Sequence, residues 1–301
     1  MGVALVLFRP YHGSMVDELR PAFHPERLSP HVWRVPVASR TLPPADHTNV
    51  YVVGGPAGAV VWDAGAASPE GVEAVRAALE ACGARRVEAI VLSHAHPDHV
   101  EGADLFQAAF GAPVRAHAAA AERAARLCPG LSWGPPLDEG DRLEAGGADL
   151  EVLLTPGHAP GHLAGWCAAD GVLLAGDLLA GVGTVAIVPP DGDLRAYLSS
   201  LRRVAELGAR LAAPGHGPAL ERPAEVVAAL VRHREDREAQ VLAALAAGAR
   251  TAGEITRAVY GEGLDERLRP FAEATVTAHL EKLRAEGRVR PLAGRVWELL
   301  S

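Results

Sequence analysis

Between residues 31 and 220, short apolar runs alternate with segments of helical spacing. Residues 31–37, 49–53, 58–62, 87–92, 111–117, 150–154, 172–177 and 211–213 are brief and rich in Val, Leu and Ala, a pattern that predicts strands. The second and third of these are joined by a tight turn at Gly54-Gly55-Pro56. The run 87–92 is almost wholly apolar, which suits a strand covered on both faces. Residues 69–82 place Val72, Val75, Ala78 and Leu79 at helical spacing and stop at Gly83. Further helices are predicted after His99, in the Ala-rich stretch ending near Leu127, and over 194–207.

Beyond residue 220 the pattern changes. A polar stretch, 232–238, is expected to lead into three helices over 240–247, 251–260 and 266–286. Residues 288–290 and 295–299 then flank a Gly294 turn as a hairpin. Three helices and a hairpin read as a winged helix. Residues 1–30 show no periodicity and are expected to form an irregular extension in which His12 and His24 lack ligand-like spacing. The expected organisation is therefore an extension (1–30), a large mixed domain (31–222) and a winged-helix-like domain (223–301).

A chain of 301 residues with 49% apolar content can bury a substantial core. There is no apolar run of 18 residues, so no membrane span is expected, and the apolar run 3–8 is too short and lacks the basic flank of a signal peptide. A cytoplasmic location is the default expectation. Cys82, Cys128 and Cys167 are far apart and odd in number, fitting neither a disulfide framework nor a thiolate metal site. The net charge of −8 is uneven: from Glu225 onward twelve basic residues face twelve acidic ones, whereas residues 1–224 hold 17 basic and 25 acidic. A bare acidic lobe repels phosphates, although two divalent ions would return four positive charges to it.

The chemistry concentrates at strand ends. Ser93-His94-Ala95-His96-Pro97-Asp98-His99 follows the buried run 87–92 and precedes a helix, so three imidazoles and a carboxylate sit on one turn between rigid elements. Three later strands end in Gly-bearing turns carrying His158, Asp177 and His216. Glycine permits tight turns through which side chains from separate strands can converge. His94, His96, Asp98, His99, His158, Asp177 and His216 together make seven nitrogen and oxygen ligands, enough for two divalent ions with about three protein ligands each. Asp63 ends the 58–62 strand, where it can orient a ligand's outer nitrogen or cap a turn. His117 lacks a Gly-bearing turn and is left out. His162 is expected to support a ligand or touch substrate.

In order and spacing, His94-x-His96-x-Asp98-His99 followed by Gly157-His158, Gly176-Asp177 and Gly215-His216 resembles the metallo-β-lactamase superfamily over roughly residues 31–220. The resemblance implies an α+β class, a four-layer αβ/βα sandwich with the site at one edge of its two sheets. It implies that His94, His96 and His158 hold a first ion, that Asp98, His99 and His216 hold a second, and that Asp177 bridges them. The ions are expected to be zinc. A bridging hydroxide would attack the substrate, and Asp98 would also orient that hydroxide or pass a proton to the leaving group.

Within the superfamily, Asp177 resembles the bridging carboxylate of glyoxalase II-type hydrolases and tRNA-processing nucleases, since true β-lactamases usually carry another residue there. The 38 residues between Asp177 and His216 leave no room for the large cap of some nucleases. With its C-terminal winged helix, the chain is similar to the lactamase-beta-two endoribonucleases. The resemblance thus implies hydrolysis of a small-molecule ester or thioester, or, as the alternative, cleavage of single-stranded RNA. A mononuclear-iron persulfide dioxygenase shares much of the ligand set and ranks third. A regulator with a dead hydrolase lobe conflicts with the complete ligand set. The winged helix would serve nucleic acid, a homodimer contact, or a cap over the site.

Overall fold

In the computed structural model, which describes residues 24–261 and 263–300, the strands assemble into two mixed sheets of six. The first sheet runs in chain order through β1 (Glu26–Arg27), β2 (Val32–Ala38), β3 (His47–Gly55), β4 (Gly58–Trp62), β5 (Val87–Val91) and β6 (Val114–Arg115). The second holds β7 (Arg142–Ala145), β8 (Ala148–Leu154), β9 (Leu163–Cys167), β10 (Val172–Gly176), β11 (Leu211–Pro214) and β12 (Leu220–Glu221), again as neighbours in chain order. Among the named strands, parallel pairing is confined to β4 with β5, β5 with β6, and β10 with β11.

Side-chain alternation assigns each face. In the first sheet Val50, Val52, Val61, Ile90 and Leu92 point to one side and Tyr51, Val53, Val60, Trp62, Ala89 and Val91 to the other. The second set packs on Leu143, Leu150, Val152, Leu163, Cys167, Val172 and Leu174 of the second sheet, so both faces of β3, β4 and β5 are buried. Gly165 of β9 makes room for the Trp62 ring, since a Cβ there would lie 3.1 Å from it. The outer face of the first sheet is covered by α1 (Pro69–Cys82), α2 (Pro97–Val100), α3 (Ala103–Phe110) and α4 (Ala118–Leu127). Ser68 caps the start of α1 through its hydroxyl, and Gly83 ends it in the left-handed conformation at φ 75°.

Four short strands, β1, β7, β9 and β12, escape the periodicity. β1 and β12 have two residues each and exist only by pairing with an edge. β7 alternates exposed and buried over four residues, too few to stand out beside flanking glycines. β1 lies inside the expected irregular extension, while the apolar run 3–8 and His12 lie outside the described residues. His24 is exposed. Cys128 and Cys167 are buried as free thiols, and Cys82 is partly buried.

The second compact unit contains α5 (Leu194–Ala205), α6 (Pro223–Ala246), α7 (Ala252–Tyr260), α8 (Arg269–Ala285) and the hairpin β13 (Val289–Leu292) and β14 (Val296–Leu299). It takes in residues 156–160 and 186–207, the latter with α5, as well as the segment from residue 224 onward. Val241, Leu245, Ile255, Val276, Leu280, Leu283 and Trp297 form its core. The expected polar stretch 232–238 before a helix at 240–247 is instead the middle of one 24-residue helix, α6. Charge on the inward face hides the period. Arg234 is 4% exposed at a core-facing position, its guanidinium 5.7 Å from the Tyr197 ring centre. One turn later Glu238 accepts from Lys282 Nζ at 2.7 Å and from Arg288 Nη1 at 3.3 Å. Thr251 and Glu254 close a capping box at the start of α7. No helix among the described residues is long and apolar enough to cross a membrane.

Burial opposes the charge on Glu238, but His279 and Lys282 outweigh it and hold its pKa down from the ordinary 4.5 to about 2. A depressed pKa contributes stability that is present above the unfolded value and lost as pH falls through the folded one. Glu238→Gln should therefore cost about 1–3 kcal/mol at pH 7. Denaturant unfolding at a series of pH values should show the gap to wild type narrowing from pH 4.5 towards 2.

Candidate metal centre

Every candidate ligand sits just beyond the carboxyl end of a strand. His94 and His96 follow β5 and lead into α2, whose first turn carries Asp98 and His99. His158, Asp177 and His216 follow β8, β10 and β11. Two close sets result. His94, His96, His158 and Asp177 each offer a ligand atom within 4.8 Å of the others, and so do Asp98, His99 and His216. Asp177 touches both, because its Oδ1 also lies 3.4 Å from His99 Nε2 and 3.5 Å from His216 Nε2.

Acceptors behind the rings fix which nitrogen faces inward. Asp63 accepts from Ser93 N–H at 2.7 Å, from Ser93 Oγ–H at 2.9 Å and from His99 Nδ1 at 2.9 Å. Since Ser93 Oγ gives its proton to Asp63, it accepts from His94 Nδ1 at 2.9 Å. His158 Nδ1 donates to Ala186 O at 2.9 Å and His216 Nδ1 to His47 O at 2.8 Å. In His94, His99, His158 and His216 the outer nitrogen thus carries the hydrogen, and Nε2 is the atom turned to the centre. His96 presents Nδ1, 2.9 Å from His94 Nε2. Asp63 leaves β4 at φ 63°, a conformation costing a non-glycine residue on the order of 1–3 kcal/mol. The three hydrogen bonds it accepts offset that cost.

A cluster of inward nitrogens and carboxylates suits a divalent cation, which can satisfy several converging lone pairs at once. Protons compete for the same lone pairs. Burial works against a charged His99, but Asp63 and Asp177 outweigh it and hold its pKa well above the ordinary value. His216 is raised by Asp177 against the same opposition from burial. The residues therefore fit the ions.

Two glycines are required by approach rather than by flexibility. A Cβ on Gly215 would fall onto Asp177 Oδ1 and lie 2.8 Å from His99 Cε1. Gly176, at φ 48°, would place one 2.7 Å from His162 Nε2. His162 itself is fully buried; its Nε2 accepts the Asp177 backbone N–H at 3.0 Å and its Nδ1 meets Thr155 Oγ1 at 2.8 Å. It holds the Asp177 turn, the supporting position expected of it. His117 accepts from Ala119 N–H and caps α4. Spacing did not reveal Ser93, Asn49, Tyr51 or Thr41. Asn49 is a buried amide within the apolar strand β3, which was the available signal for it. Thr41 Oγ1 lies 3.4 Å from His216 Nε2.

A family model described as the metallo-beta-lactamase superfamily matches residues 43–216, and one described as the beta-lactamase associated winged helix domain matches residues 251–297. A Beta-lactamase-like protein 2 homolog of Drosophila melanogaster is 30% identical over 68% of this chain and 70% of its own length. An atrochrysone carboxyl ACP thioesterase of Aspergillus fumigatus is 28% identical over 85% of this chain and 82% of its own. The solved structure of a metallo-beta-lactamase family protein from Thermus thermophilus superposes with a TM-score of 0.75 at 28% identity, covering 91% of this chain and 100% of that one.

Asp63→Asn would turn an amide N–H toward Ser93 or His99 and favour the His99 tautomer whose inner nitrogen carries the hydrogen. Chelator competition should show metal affinity lowered about 10–100-fold, the usual cost of losing such a support. An unchanged affinity would contradict the role of Asp63. Because His99 and His216 hold protons above the ordinary imidazole range, loading metal at pH 7 should release protons. Calorimetry in buffers of different ionisation enthalpy would count them.

Proposed function

The chain belongs to the metallo-beta-lactamase superfamily, whose members bind divalent metals, and as a hydrolase of that family we propose that it uses two ions to cleave a small-molecule ester or thioester. The observation that carries this reading is the position of Asp177, one carboxylate within reach of both ligand sets. In the proposed centre His94, His96 and His158 hold the first ion, Asp98, His99 and His216 the second, and Asp177 is shared. Imidazole and carboxylate donors without a thiolate suit zinc. Bound there, the ions would bring the pKa of a coordinated water from about 15.7 towards about 7 and take up charge on the reacting oxygen.

The chain's own groups do the rest. Asp63 and Ser93 fix the rings of His99 and His94, so the inward nitrogens need no reorganisation when the ions bind. Asp98 Oδ2 lies 3.4 Å from His216 Nε2 with its side chain 13% exposed, so besides serving as a ligand it can take a proton from the attacking water and pass it to the departing group. The Thr41 hydroxyl, beside His216, is placed to contact the substrate. The thioester class is supported by the relative named a thioesterase, which matches across 85% of the chain. The acidic excess of residues 1–224, 25 against 17, disfavours a polyanion.

Zinc-loaded protein tested on a panel of acyl thioesters and on labelled single-stranded RNA separates the readings. Thioester turnover is expected, with His94→Ala and Asp177→Ala each lowering kcat/KM on the order of 10²–10³-fold or more. Turnover of RNA alone, abolished by the same changes, would assign the site to an endoribonuclease. Undiminished hydrolysis by protein stripped of metal would remove the two-ion reading altogether.

A further inference from the structure

The turn that carries His216 is gripped from the other sheet. Residues 214–217 leave β11, yet the groups holding them come from β2 and β3 of the first sheet. Asn49 N–H donates to Gly215 O at 2.7 Å, and the Asn49 side-chain amide donates to Pro214 O at 2.9 Å and to Gly217 O at 2.8 Å. Tyr51 Oη donates to Pro214 O at 2.7 Å, and Arg34 Nη1 to Gly217 O at 3.0 Å. The His216 ring itself donates to His47 O at 2.8 Å. His47, Asn49 and Tyr51 alternate along β3, so this one strand presents all of the grip except the Arg34 guanidinium of β2.

Asn49 has an additional feature. It is fully buried, and its Oδ1 has no hydrogen-bond partner among the described residues, a shortfall that ordinarily costs about 1–3 kcal/mol. Packing alone would be served better by leucine, which has nearly the same shape and no orphaned oxygen. What leucine lacks is the pair of donors that ties both ends of the His216 turn. Neither carbonyl would be orphaned without them, since Pro214 O keeps Tyr51 and Gly217 O keeps Arg34. The amide is thus dispensable for satisfying the backbone, and its contribution is to the position of the turn. Burial keeps the Tyr51 hydroxyl protonated far above the ordinary tyrosine range, so it remains a donor at any assay pH.

We propose that Asn49, seconded by Tyr51, is a positioning residue for the second metal ion, setting His216 so that this ion, and not the first, depends on the clasp between the two sheets. Of the proposed ligands only His216 rides on the clasped turn. His94 and His96 are held from β5 and His99 by Asp63, away from these bonds. The inference rests on the two-ion reading above.

The test is titration of the full-length metal-free protein with cobalt(II), following the visible absorption of the bound ion, alongside thermal unfolding of the same samples. Wild type should take up two ions. Asn49→Leu should bind the first with unchanged affinity and the second about 10–100-fold more weakly, with an unfolding midpoint equal to or above that of wild type. Tyr51→Phe should shift the second ion alone by a smaller factor, and it serves as the readout if Asn49→Leu does not fold. Equal weakening of both ions would mean a general structural defect and overturn the proposal, as would two unchanged affinities. Uptake of a single ion by wild type would overturn the two-ion reading and this inference with it. Two ions in wild type with unaltered affinities in the variants would overturn this inference alone.

Discussion

A neutral imidazole has one lone pair to give, and whichever nitrogen is hydrogen-bonded behind the ring decides where it points. This centre depends on that constraint. Asp63, the Ser93 hydroxyl, and the carbonyls of Ala186 and His47 each hold an Nδ1, and four Nε2 atoms turn inward as a result. Asp63 does this for two rings at once, directly for His99 and through Ser93 for His94. It tolerates a left-handed backbone to do so, which places the strain of the fold next to its chemistry.

The supports come from places far apart in sequence. Ser93 and Asp63 are thirty residues apart, and His47 and His216 are separated by 169. Such bonds form only because β3, β4 and β5 are buried on both faces and locked in register against the second sheet. A rigid sandwich lets strand ends hold imidazoles where loops alone could not. Glycine matters here for proximity, since Gly215 is the gap through which Asp177 and His99 approach the turn of His216.

The charge pattern agrees with a metal-loaded state. The acidic excess lies wholly in residues 1–224, and two divalent ions would return four positive charges to it. The winged-helix segment is balanced, and several of its charged residues pair with one another: Glu238 with Lys282 and Arg288, Arg290 with Glu298, Glu266 with Arg269. A surface whose cations are paired in this way is a weak basis for polyanion binding.

Much of the architecture is legible because it follows from period. Short, almost wholly apolar runs mark β3, β4 and β5, helical spacing with a terminal glycine marks α1, and the recurrence of Gly-His or Gly-Asp after apolar runs marks the strand ends that carry candidate ligands. The failures have physical causes as well. By its pattern α6 reads as a linker and a short helix because Arg234 and Glu238 occupy its inward face, and a period count treats a buried charge as exposed. β1 and β12 are too short to carry a rhythm and depend on a neighbouring edge. Sequence by itself determined the candidate ligand types and their order, because those are properties of single residues and short turns. Tertiary structure alone decided which nitrogen each ring offers, that Asp177 reaches both sets, that His162 props a backbone, and that Asn49 and Tyr51 grip the His216 turn. Each of those depends on hydrogen bonds that close only when two sheets bring distant residues within about 3 Å of one another.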